Sequence, residues 1–194
     1  MVRETVPQAT SFGRTQIVSQ LGETIDQTVQ AIIVPANARG ILPSSGARSL
    51  RSVAGQEIES ETMRLAPLQL GSAVVTGSGR LADRNIEKII HAVVSEEPGG
   101  ARTLPVVRRA LSSALELAYR ERLSSIAVPL LTGNHLESPE ELRDWIGGVV
   151  SEVVSHVRRD RVRLDSVVIV SRYTEDIENL SKAIAEARGE AWPP

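Results

Sequence analysis

The sequence predicts an α/β fold in which helices cover a largely parallel sheet. Residues 31–34 (AIIV) and 125–131 (SIAVPLL) are apolar runs of strand length without polar alternation, as expected for strands buried on both faces. Stripes of apolar residues at helical spacing separate the strands, and that alternation gives parallel crossovers. No repeat, low-complexity tract or linker divides the 194 residues, so one domain spanning 1–194 is expected, with tails at 1–12 and 190–194.

Taken in order, residues 1–12 are polar and patternless, a tail or a weak edge strand. Thr15–Leu21 is a first strand ended by Gly22, and a polar connection at 23–29 leads to the buried strand at Ala31 and then to Asn37. Leu50, Val53, Ala54, Ile58 and Leu65 keep a rough helical spacing up to Pro67, with Gly55 marking a kink or a break between two short helices. Residues 71–76 and 86–94 are strands, and 95–102 (SEEPGGAR) is an exposed loop. The clearest helix has Val107, Ala110, Leu111, Ala114, Leu115 and Ala118 on one stripe, Thr103 as cap and Pro105 in the first turn. After the second apolar strand, Ser138 and Glu141 form a capping-box signature with Pro139 at the first helical position. Leu142, Trp145, Ile146, Val149, Val150 and Val153 continue that helix. Ser166–Ser171 is a last strand, and Ile177, Leu180, Ile184 and Ala187 line a final helix ending before Gly189.

Composition excludes several classes of chemistry. There is no cysteine, so disulfides, thiol nucleophiles and cysteine metal sites are out, and three scattered histidines do not make a metal cluster. No metal or cofactor is expected. A formal charge of −2, with one Phe, two Tyr and two Trp, predicts no general nucleic-acid binding. No apolar run approaches a membrane span, and MVRETVPQAT lacks the apolar core of a secretory signal, so a cytoplasmic protein without membrane attachment is expected. Oligomeric state is left open.

Two strands end in loops of the kind that hold ligands. The first runs from Asn37 through Gly40, Leu42, Pro43, Ser44, Ser45 and Gly46 into a helix, and the second is Thr132-Gly133-Asn134-His135. In α/β sheets ligands sit beyond the carboxyl ends of strands, where loop amides and helix N-termini face an anion.

From Gly22 to the last helix the chain resembles the macro domain family. The span GETIDQTVQAIIVPAN fits, without gaps, the family's opening glycine and aspartate and its apolar strand ending in asparagine, two alanines and asparagine. ARGILPSSGARSLRSVAG fits the glycine-rich loop and the helix ending at Gly55. Residues 71–75, IIHAV around His91, and SIAVPLLTG resemble later family strands and the phosphate-holding loop. The resemblance implies a three-layer α/β/α sandwich with a mixed, largely parallel central sheet. It also implies a domain that binds ADP-ribose or a related nucleotide diphosphate in a cleft between two strand-end loops, with ADP-ribose or an ADP-ribosylated macromolecule as partner.

Carried over by position, Glu23 takes the place of the aspartate that accepts from the adenine amino group, although a solvent-exposed carboxylate is an equal alternative. Asn37 takes the place of the asparagine on the distal ribose, its alternative being a turn former. Gly40, Ser44, Ser45 and Gly46 are the first loop's contacts, and Thr132, Gly133, Asn134 and His135 the second's. Arg39, Arg48 and Arg51 could pair with phosphate or be solvated surface residues. The family's catalytic aspartate position is Ala47, so general-base assistance is missing there. The implied function is therefore binding without efficient catalysis. One alternative is an ADP-ribosyl hydrolase working through Asn37, and another is a protein-interaction scaffold with a pocket closed by Leu42, Pro43 and Leu136. His91 reads as a hydrogen-bonded core histidine and Trp145 as core. His156 reads as a cation at a helix end, and Glu175 and Asp176, like Glu96, Glu97, Glu140 and Glu141, as solvated acids.

Overall fold

A computed structural model describes residues 9–42, 47–133, 136, 138–159 and 163–189, with the backbone alone at 47–49. Seven strands form one sheet: β1 (Ala9–Phe12), β2 (Thr15–Leu21), β3 (Ala31–Asn37), β4 (Ala73–Gly77), β5 (Lys88–Ser95), β6 (Ser125–Pro129) and β7 (Ser166–Ser171). Their spatial order is β1-β2-β7-β6-β3-β5-β4. The central neighbours are parallel, and the two edge strands, β1 and β4, are antiparallel to theirs. The expected mixed, largely parallel sheet is observed. Residues 9–12, within the expected tail, pair with β2 as an edge strand.

Alternation along the buried strands feeds two cores. Ala31 and Ile33 of β3 join Ile90, Ala92 and Val94 of β5 in the larger core. It is closed by α3 (Leu104–Arg120), α4 (Pro139–Val157) and α5 (Thr174–Arg188), which carry the predicted stripes. Ile32 and Val34 face the other way, with Ile89, onto α1 (Ala47–Ala54) and α2 (Glu57–Arg64) through Leu50, Ala54 and Ile58. Three layers result. Gly55, in the left-handed region at φ +108, separates α1 from α2, so the expected break is real.

Helix starts follow the sequence closely. Ser138 and Glu141 form the capping box, with the Ser138 hydroxyl accepting from the Glu141 amide at 3.1 Å. Thr103 occupies the cap of α3, but its hydroxyl makes no capping hydrogen bond. His91 is fully buried on β5, its Nε2 2.9 Å from Thr76 Oγ1 and 3.3 Å from Thr62 Oγ1. Both hydroxyls donate elsewhere, to Gly77 O and Ile58 O, which assigns them as acceptors and Nε2 as the protonated nitrogen.

Two expectations are corrected. His156 is not a cation at a helix end: it is buried under the last turn of α4, neither ring nitrogen has a partner among the described residues, and burial holds its pKa down. Asp176 is not solvated either, because the first turn of α5 folds it under the end of β7, where it accepts from the Ser171 hydroxyl. No helix among the described residues is long and apolar enough to cross a membrane.

Candidate functional site

A cavity of about 340 Å³ opens beyond the carboxyl ends of β2, β7, β6 and β3. That volume is in the range of small-molecule sites. Its origin lies in strand pairing. β3 and β6 are in register only at Ala31↔Ile126 and Ile32↔Ala127. Beyond that, Pro35 on one strand and Pro129 on the other have no N–H to extend a ladder. Both prolines line the cavity, together with Ile33, Val34, Leu130 and Leu131. The gap between the two central strands is thus written in two imino acids.

The end of β6 is held from two sides. Trp145 Nε1, buried on α4, donates to Leu130 O at 2.8 Å, and Arg102 Nη1 donates to Leu131 O at 3.1 Å. Leu131 sits in the left-handed region at φ +57, a conformation that costs about 1–2 kcal/mol outside glycine. Two donors on consecutive carbonyls offset that cost and fix the turn that follows. In that turn Thr132 and Gly133 line the cavity. Gly133 has φ +70, and a Cβ there would lie 3.2 Å from Arg102 Cδ and Nε, so glycine lets the guanidinium lie against the turn. Burial lowers the pKa of Arg102, yet a guanidinium remains charged at neutral pH.

At the other end of the cavity, Gly22, Glu23, Arg172 and Tyr173 form the rim. Glu23 lines this end, with its carboxylate 3.6 Å from Arg172 Nη1 in a partly exposed pair. Tyr173 is 66% exposed, an unusual setting for a large aromatic. Ser171 and Asp176 lie beneath it, bonded to each other.

Asn37 and Gly40 are placed differently. A register shift between Ala36 and Asn37 bulges the end of β3. Asn37 is buried; its Oδ1 accepts from the amides of Arg39 at 3.1 Å and Ile41 at 3.3 Å, while Nδ2 donates to Ile41 O. These bonds close its own turn, and Asn37 is not among the residues lining the cavity. Gly40, at φ +68, packs so tightly on α2 that a Cβ would lie 2.7 Å from Thr62 O. It too builds the turn.

Two of the arginines near this loop, Arg39 and Arg51, are committed elsewhere. Arg39 pairs with exposed Glu97 at 2.9 Å. Arg51 pairs with Glu59, and together they clamp Leu42: the Leu42 amide donates to Glu59 Oε1 at 2.9 Å and Arg51 Nη2 to Leu42 O at 3.1 Å. Leu42 lines the cavity and packs on the smaller core, and Leu136 packs on the larger one. Pro43, Ser44, Ser45, Gly46, Asn134 and His135, and the side chains of Ala47 and Arg48, lie outside the described residues.

Sequence reasoning missed Arg102, Arg172, Tyr173, Ser171 and Asp176. The segment 95–102 reads as an exposed loop, and its acidic part is exposed, but Gly99, Gly100 and Arg102 line the cavity. A signal existed for Tyr173, an aromatic two residues past a buried strand's end.

The layered α/β/α fold, with a cleft at the carboxyl edge of its parallel strands, places the chain in the α/β class, in which clefts lie at strand ends. A family model described as Macro domain matches residues 33–141. An uncharacterised protein of Aquifex aeolicus (strain VF5) is 31% identical over 170 residues, covering 84% of this chain and 94% of the relative. The chain belongs to the macro domain family. Among solved structures, the Oceanobacillus iheyensis macrodomain with ADP aligns with a TM-score of 0.78 at 16% identity, over 95% of this chain and 97% of that one. The Trypanosoma brucei macrodomain in complex with ADP-ribose aligns with a TM-score of 0.72 at 20% identity, over 87% of this chain and 68% of that one.

Proposed function

We propose that this chain binds ADP-ribose, free or attached to a macromolecule, or a closely related nucleotide diphosphate, and does not hydrolyse it efficiently. The observation that carries this is the cavity beyond four parallel strand ends, with a carboxylate and an exposed aromatic at one rim and a turn backed by a cation further in. Tyr173 offers a stacking face for a base, worth about 1–3 kcal/mol in other nucleotide sites. Glu23 offers an acceptor for an exocyclic amine beside it. The Thr132–Gly133 turn offers backbone amides for phosphate. Family membership, and relatives of the same fold solved with ADP and ADP-ribose, support the same ligand.

Hydrolysis would need a base near the scissile bond at the far side of the ligand. Among the described residues, the carboxylates lining the cavity, Glu23 and Asp176, both sit at the base-recognition end, one paired with Arg172 and the other bonded to Ser171. Calorimetric titration with ADP-ribose tests the proposal. Saturable binding is expected, together with no release of ADP-ribose from a modified protein above the uncatalysed rate. Absence of heat at millimolar ligand would overturn the binding, and catalysed release lost in Asn37→Ala would overturn the second half.

A further inference from the structure

We propose that Arg102 is the residue that reads the ligand's diphosphate, making the cavity selective for an anion through a side chain as well as through loop amides; this rests on the ADP-ribose function proposed above. Arg102 stands in the loop between β5 and α3, yet its guanidinium crosses to the end of β6, where it donates to Leu131 O at 3.1 Å. Neighbouring strands are spaced about 4.8 Å apart, so the β6 end lies roughly 10 Å, two strand spacings, from the β2 rim that carries Glu23. A nucleotide whose base rests at that rim places its phosphates at about that distance.

Charge makes the assignment specific. Arg39, Arg51 and Arg172 each face a carboxylate at 4.0 Å or less. Among the described residues Arg102 pairs with none, although it is the most desolvated arginine of the cavity, and a carbonyl oxygen is its sole hydrogen-bond partner there. A partly buried guanidinium without an acid is costly unless an anion completes it. One of its five donors is taken by Leu131 O, and the remaining donors suit a phosphate oxygen pair. Gly133 completes the arrangement, since a Cβ there would crowd Arg102 Cδ and Nε at 3.2 Å, and its φ of +70 disfavours any side chain.

The competing role for Arg102 is that of a brace for the strained Leu131 turn, and the test separates the two. Arg102→Gln and Arg102→Lys are compared with the wild type by calorimetry, using inorganic pyrophosphate and ADP-ribose at low and high salt, alongside thermal melting. Arg102→Gln should weaken both ligands roughly ten- to a hundred-fold at low salt. The loss should shrink as salt rises, and Arg102→Lys should keep part of the affinity and its salt dependence. Unchanged binding in Arg102→Gln overturns the proposal, as does an equal, salt-independent loss in both variants, which marks a brace alone. Should Arg102→Gln not fold, Arg102→Lys decides by the same salt criterion. A wild type that binds pyrophosphate through Arg102 but not ADP-ribose leaves the anion site standing and removes the nucleotide function. Binding of neither ligand removes both.

Discussion

The carboxamide of Asn37 uses both of its polar atoms to close its own turn, satisfying the amides of Arg39 and Ile41 and the carbonyl of Ile41. Asn37→Ala would leave those groups without partners in a buried place, at about 1–3 kcal/mol. For a chain of this size that lowers the melting midpoint by roughly several degrees. Because the side chain does not line the cavity, ADP-ribose affinity should fall less than in Arg102→Gln. Wild-type melting combined with lost binding in Asn37→Ala would assign the residue to the ligand instead. The same residue shows the limit of what the sequence makes legible. A polar residue at the end of an apolar strand announces a loop, but whether its amide faces a ligand or its own backbone depends on the bulge at Ala36, which no local pattern records.

At the scale of elements, the strands and helices were legible because each is bounded by residues with a single structural use. β2 and β7 match the predicted spans, since Gly22 stops one and a run of SVVIVS defines the other. The capping box started α4 where expected. Arg102 was not legible, because its place in the site depends on Gly133 and Leu131 from a different loop. Nor was the clamp on Leu42, formed when Arg51 of α1 meets Glu59 of α2 across the Gly55 break. Arg51 holds the Glu59 carboxyl below its ordinary pKa, and the Leu42 amide adds to this. The unfolded chain takes up that proton in the ordinary carboxylate range and the folded chain only below it. The contribution of the clamp is therefore full above that range and is lost as pH falls through the lowered value. Glu59→Gln should melt several degrees below wild type at neutral pH, roughly 1–3 kcal/mol, with the gap closing in acid. A constant gap down to pH 3 would show that the charge of Glu59 is not what matters.

For the whole molecule, two buried histidines add to the loss of stability in acid. Burial pushes the pKa of His91 from 6.5 down to about 4, and that of His156 also falls, with Arg159 adding to burial and Glu116 and Glu152 opposing it. Both are neutral in the folded chain and charge readily when it unfolds. Between about pH 6.5 and 4 the unfolded state binds protons that the folded state refuses, so stability must decline as pH falls through that window. For His91 alone the decline is on the order of 3 kcal/mol. The two histidines sit in separate places, His91 in the sheet between β4 and α2 and His156 under the end of α4, so their effects should add. Melting midpoints should be flat from pH 8 to 7 and fall steadily from 6.5 to 4.5. His91→Gln keeps a donor for Thr76 and Thr62 but cannot titrate, and should flatten the curve in part, leaving the share of His156. Parallel curves for wild type and His91→Gln would show that the sheet opens to admit the proton without unfolding, and would refute the linkage.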